Sequence, residues 1–142
     1  MNILYDFWEV LIYSGLGILL MAIGNFLIDF IIPCSFPDEI KKGNQAIGFV
    51  SAGTFIGVGI LLKAAIAGPI SNVKESLLEG IGGSIMYFGV GILCFMLGYL
   101  VLSLLNRKYS LNEELGRGNT AAGIMVCGIF IGLAILISGV IQ

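Results

Sequence analysis

The sequence predicts an all-α integral membrane protein whose four transmembrane helices form two helical hairpins of one orientation. Three observations carry that prediction. Hydrophobic residues make up 58% of the chain, charged residues 11%, and the mean hydropathy is +1.03, whereas soluble domains carry about 25% charged residues. Four apolar stretches reach the roughly 20 residues needed to cross about 30 Å of hydrocarbon. Finally, the chain repeats itself. With a 75-residue offset, Asp38 to Ala67 and Glu113 to Gln142 are identical at twelve of thirty positions, and such a period defines a structural unit.

The first unit covers residues 1–73 and opens with a transmembrane helix over 10–32. The nine residues before it contain no Lys or Arg and no small-residue cleavage pattern follows, so this segment is expected to stay in place as a helix rather than be removed as a signal. Pro33 marks its end. The second transmembrane helix is expected over 46–67, with a helical extension beginning at Phe36. Ser35 followed by Asp38 has the spacing of a capping box, and Pro37 suits a first helical turn. A continuous helix from Phe36 to Ala67 measures about 45 Å at 1.5 Å per residue, so its first turns should project from the hydrocarbon.

The second unit, 74–142, repeats the plan. Tyr87-Phe88-Gly89-Val90-Gly91-Ile92-Leu93 aligns with Tyr13-Ser14-Gly15-Leu16-Gly17-Ile18-Leu19 at an offset of 74, within a transmembrane helix over 81–105. Ser110 and Glu113 repeat the capping spacing and start an extension at 111, before the last transmembrane helix over 120–142. Apolar residues surround each stretch rather than alternating, and the 21 glycines suit packed membrane helices better than barrel strands. Hairpins related by an even number of crossings are parallel, which excludes an inverted-repeat transporter plan.

Orientation follows from basic residues. Lys41, Lys42, Arg107, Lys108 and Arg117 fall in the first and third connections, against Lys74 and the helix-end Lys63 on the other side. The positive-inside bias therefore places those two connections in the cytoplasm and both termini outside. The acidic pairs Asp38-Glu39 and Glu113-Glu114 then lie on the cytoplasmic side, at the positive ends of helix dipoles. Trp8, Tyr5, Tyr13 and Tyr87 suit the outer aromatic belt.

Gly53-x3-Gly57 in the second helix and Gly128-x3-Gly132 in the fourth form small-residue faces that admit another helix backbone closely. Matched residues also occupy the opposite faces, from Gly48 and Phe55 to Gly123 and Phe130. Helices shaped on two sides imply neighbours on both, and four helices enclose little, so a homo-oligomer centred on the second and fourth helices is expected.

Asn44 and Asn119 are the sharpest polar pair. They either line a cytoplasmic vestibule, since polar groups at membrane depth often mark pathways, or bond helix carbonyls or headgroup water structurally. Asn25 and Asp29 lie four apart on one face of the first helix. Near the cytoplasmic end they are candidates for the vestibule or a helix contact, since an intramembrane acid often marks function. Because Pro33 follows and the charge is not duplicated, Asp29 is expected instead at the interface, paired with Lys41, Lys42 or Arg117, and Lys63 to snorkel. Cys34, Cys94 and Cys127 lack CxxC spacing and read as small apolar fillers.

Catalysis has no foothold. The chain has no His, no nucleophile beside a base, no metal-ligand cluster and no phosphate loop, so neither enzyme activity nor a cofactor is expected. A net charge of −2 gives no basis for nucleic-acid binding; the partners expected are the lipid bilayer and further copies of the chain.

The element Glu39-Ile40-Lys41-Lys42-Gly43-Asn44-Gln45-Ala46-Ile47-Gly48 recurs as Glu114-Leu115-Gly116-Arg117-Gly118-Asn119-Thr120-Ala121-Ala122-Gly123. In both places it precedes an apolar Gly-rich helix, second in its hairpin. This arrangement resembles the bacterial membrane family catalogued as domain of unknown function 350. The resemblance covers nearly the whole chain and implies a four-helix inner-membrane protein with no established activity and no catalytic residues to carry over. It also implies gene neighbours of the phage-shock and polyamine-synthase kinds, which suit an envelope-stress partner. Two functions remain open: a non-enzymatic scaffold in envelope maintenance, or a pore or small-cation pathway, polyamines among the cations, at the Gly-Asn vestibule. The second and fourth helices are apolar beyond Ser51 apart from Thr54 and Lys63, which favours the scaffold.

Overall fold

The computed structural model describes residues 3–68 and 77–141; the central connection with its Lys74, and Met1 and Gln142, lie outside the described residues. Six helices follow in order: α1 (Ile3–Asp29), α2 (Phe36–Lys41), α3 (Gln45–Ile66), α4 (Leu77–Leu105), α5 (Leu111–Gly116) and α6 (Thr120–Ile141). Of these, α1, α3, α4 and α6 are long and apolar enough to span a membrane. With no proline inside any of them, every backbone N–H and C=O along a span can bond within its own helix, as hydrocarbon requires.

The two hairpins are built alike. Gly24 of α1 faces Val58 of α3, and Gly98 of α4 faces Leu133 of α6. These are corresponding positions, so both hairpins use an equivalent glycine contact, and at Gly24 Ile92 and Phe88 of α4 also enter. Between repeats, α3 and α6 share the most extensive contact, and α4 also lies against α3. The consequence is an unequal bundle. Helix α3 is enclosed by α1, α4 and α6, with Ala46, Val50, Thr54, Val58 and Leu61 all fully buried. Phe95 and Phe130 stack at 5.0 Å between ring centroids beside Gly57, an offset geometry aromatic pairs favour.

Two expectations need correction, and the two small-residue faces prove unequal within one chain. First, the long helices start earlier than hydropathy suggested: α1 begins at Ile3 and ends at Asp29, and α4 begins at Leu77. Secondly, the helical extensions are not continuous with the spans. Helix α2 stops at Lys41 and α5 at Gly116, because Gly43 (φ +80°) and Gly118 (φ +81°) turn into the left-handed region. Gly43 N–H donates to Ile40 C=O and Asn44 N–H to Glu39 C=O; Gly118 and Asn119 donate to Leu115 and Glu114 in the same pattern. This is a Schellman stop, a conformation that costs glycine nothing. Only one small-residue face is filled within the chain. A Cβ on Gly53 would lie 2.7 Å from the Cys127 Cα and one on Gly57 2.5 Å from Phe95, whereas Gly128 and Gly132 meet nothing within 4 Å.

Candidate functional site

The Gly-Asn turns bring the two repeats together at one end of the bundle. After each Schellman stop the asparagine starts the following span. Asn44 has extended backbone angles and its side-chain oxygen accepts from Ile47 N–H at 3.2 Å, while Asn119 accepts from Ala121 N–H at 3.1 Å. One Gly-Asn dipeptide therefore ends a short helix and caps a long one. Sequence reasoning weighed these asparagines as vestibule or helix contact and missed this turn chemistry. The signal was present: glycine just past a charged last turn, followed by a residue that favours the N-cap.

The two asparagines differ in one respect. Asn44 Nδ2 donates both to Glu39 Oε2 and, across the repeats, to the Leu115 carbonyl of α5, each at 2.9 Å. Asn119 Nδ2 donates to Glu114 Oε2 at 2.7 Å, within its own repeat. Asn44 thus clamps repeat two onto repeat one. Its bond, followed by that of Lys42 Nζ to Glu39 Oε1 at 3.0 Å, holds the Glu39 carboxyl below its ordinary pKa. Between the turns lies a polar groove of about 360 Å³, lined by Glu39, Asn44, Gln45, Arg117 and Gly118 among others.

The remaining acidic residues are dispersed. Arg117 lies 3.8 Å from Glu113 and 3.7 Å from Glu114, exposed pairs of little energetic weight. Asp38 is exposed in the first turn of α2. Asp29 does not pair with Lys41, Lys42 or Arg117 as expected: its Oδ1 accepts from Phe36 N–H at 3.0 Å and so caps α2 from seven residues upstream. Ser35 itself makes no side-chain cap bond, while Ser110 does accept from Glu113 N–H at 3.4 Å. The second site therefore forms the hydroxyl half of a capping box, and the first forms neither half.

Within the spans, polar groups are handled locally. Thr54 and Ser84 donate to the carbonyls of Val50 and Gly80, four residues back. Tyr99 OH donates to Asn112, tying α4 to α5. Asn25 Oδ1 and Ser51 Oγ are buried with no hydrogen-bond partner. The three cysteines are free and half-buried, and among the described residues no cluster of three His, Cys, Asp or Glu could hold a metal ion.

Comparison with known proteins places this architecture. The family model described as Domain of Unknown Function (DUF350) matches the chain twice, over residues 2–78 and 76–142. A UPF0719 transmembrane protein of Aquifex aeolicus (strain VF5) is 29% identical over 127 residues, which are 89% of this chain and 46% of that protein. This chain therefore spans about half of that relative's length. The UPF0719 transmembrane protein YshE of Bacillus subtilis (strain 168) is 22% identical over 138 residues, 94% of this chain and 96% of that one. No solved structure matches the chain significantly. With two matched copies covering nearly its whole length and four helices apolar enough to span a bilayer, the chain is a multi-pass membrane protein that belongs to the DUF350 family.

Proposed function

We propose that the protein is a non-enzymatic, oligomeric scaffold of the bacterial inner membrane that works with a partner in envelope maintenance under stress. The observation that carries the reading is the close-packed seam between the central helices. Gly123 lies directly on the Ala46 backbone and Gly53 on that of Cys127, and the buried hydroxyls of Thr54 and Ser84 turn back onto their own helices. A conducting path needs polar groups that face water at successive depths, and this seam offers close-packed backbone instead. A strain lacking the chain is expected to become several-fold more sensitive to a membrane-permeabilising challenge, with sensitivity restored by the chain expressed in trans. Unchanged sensitivity on deletion would count against the role.

A second reading, a small-cation pathway, draws on Asn25 Oδ1 and Ser51 Oγ, because buried polar atoms without partners are costly and invite water or an ion. Both readings share one orientation. Lys41, Lys42, Arg107, Lys108 and Arg117 surround the Gly-Asn end, which supports a cytoplasmic location for that end and outside termini. On intact cells, a cysteine introduced at Asn72 should react with an impermeant thiol reagent and one at Glu113 should not; the reverse pattern inverts the topology.

A further inference from the structure

We infer that the chain assembles head to tail with further copies of itself, re-using between chains the α3–α6 contact that joins its own repeats, and that this assembly closes into a ring. The inference deepens the oligomeric reading above by assigning the surface, the occupant and the symmetry.

The argument rests on a contact used once where the sequence encodes it twice. Within the chain, one face of α3 meets a different face of α6: Ala46 sits on Gly123, Gly53 on Cys127, and Asn44 bonds the Leu115 carbonyl. The repeat equivalents of the first set are Ala121, Gly128 and Asn119; those of the second are Gly48, Ala52 and Ile40. Both equivalent surfaces are open. Leu115 is 0% exposed and its counterpart Ile40 49%; Phe130 is 0% and Phe55 40%; Leu61 is 0% and Leu136 68%. A single chain thus carries an unused copy of each half of its own interface.

The grooves correspond in the same way. Gly48, Phe49 and Ala52 line an apolar groove of about 440 Å³, at the positions equivalent to those where α6 receives Ala46. A second apolar groove of about 490 Å³, lined by Gly17, Met21 and Gly59 among others, matches the place where Leu61 enters the Gly91 notch of α4. Ala121 and Leu136 of a neighbouring copy are the residues that fill them. Asn119 Nδ2 then gains the carbonyl of Ile40 in that copy, as Asn44 has that of Leu115.

Closure follows from the bilayer. The hairpins are parallel, so the operation relating them is a rotation about the membrane normal. A translation along the normal would expose apolar span to water, so repeated application cannot climb into a helix. A heterologous contact without translation closes into a ring, with α3 and α6 alternating around it.

Gln45 and Thr120 supply the test, because they are repeat equivalents that meet each other: Thr120 Oγ1 lies 3.3 Å from Gln45 Oε1 within the chain. In the ring, Thr120 of one copy also meets Gln45 of the next. With Cys34, Cys94 and Cys127 replaced by alanine, differently tagged chains carrying Gln45→Cys or Thr120→Cys are co-expressed and oxidised in the membrane. The expected result is a disulfide-linked heterodimer from the pair and no dimer from either variant alone. Dimers from one variant alone mean a two-fold contact, which overturns the ring while sparing oligomerisation. Native mass measurement in mild detergent decides independently. The parent chain should show a multiple of the single-chain mass, and Ala121→Leu, at an exposed position, should reduce it to one chain that remains folded. A parent of single-chain mass overturns both the ring and the oligomeric reading; an Ala121→Leu variant that keeps the parent mass overturns the interface.

Discussion

Gly123→Leu is expected to remove most of the folded protein from the membrane, while Gly128→Leu leaves the fold of the individual chain intact. A Cβ at Gly123 would lie 2.6 Å from the Ala46 Cα and 2.8 Å from its carbonyl carbon, with the Ala46 oxygen nearer still. These are backbone atoms, which no rotamer change can move aside. Overpacking a well-filled core costs about 1–3 kcal/mol even where side chains can adjust, and here α3 and α6 must separate along the most extensive contact in the bundle. Gly128, five residues further along the same helix, meets nothing within 4 Å. Near-UV circular dichroism and thermal melting of detergent-purified variants provide the comparison. Equal losses in the two variants would contradict the assignment of the packed face.

The second large effect is expected at Asn44. Replacing it with Leu removes the cap on Ile47 N–H, the bond to Glu39 and the bond to the Leu115 carbonyl of the other repeat. Losing a helix N-cap costs about 0.5–2 kcal/mol, and an interhelical hydrogen bond in a membrane protein about 0.6 kcal/mol. Asn44→Leu should therefore destabilise the protein by roughly 2 kcal/mol. Asn119→Leu, which loses a cap and a bond within its own repeat, should cost roughly 1 kcal/mol. Unfolding in mixed detergent, followed for both variants, tests the ranking. A larger loss at Asn119 would mean that the clamp between repeats sits elsewhere.

The differences between sequence and structure have specific causes. Membrane class and duplication were legible because apolar length and a 75-residue identity pattern are properties of sequence alone. The breaks at Gly43 and Gly118 were legible in principle; hydropathy and helix length obscured them, since both are blind to a left-handed glycine followed by an N-cap asparagine. Asp29 could not be assigned, because its acceptor role depends on how α1 turns back to reach Phe36 N–H seven residues later. Nor could the inequality of the glycine faces be read. Gly53 and Gly128 share the pattern Gly-x-Phe-Ile-Gly, and only the packing of one hairpin against the other encloses the first and leaves the second open.

That inequality extends to function. The two repeats supply matching surfaces, of which the chain buries one pair against itself, and the buried pair forms a seam of backbone contact without a file of polar groups. Both Asn residues at its end cap helices, and Asn44 also joins the repeats. A scaffold needs such a seam closed; a pathway needs it, or an equivalent route past Asn25 and Ser51, open to water.

The direct measurement is flux. The purified full-length chain, reconstituted in liposomes at its assembled mass, should pass neither monovalent cations nor a polyamine such as spermidine above the rate of protein-free vesicles, under either direction of gradient and with an imposed membrane potential. Saturable flux that disappears in Asn44→Leu, or in a variant carrying Asn25→Leu and Ser51→Ala, would contradict the scaffold and establish the pathway.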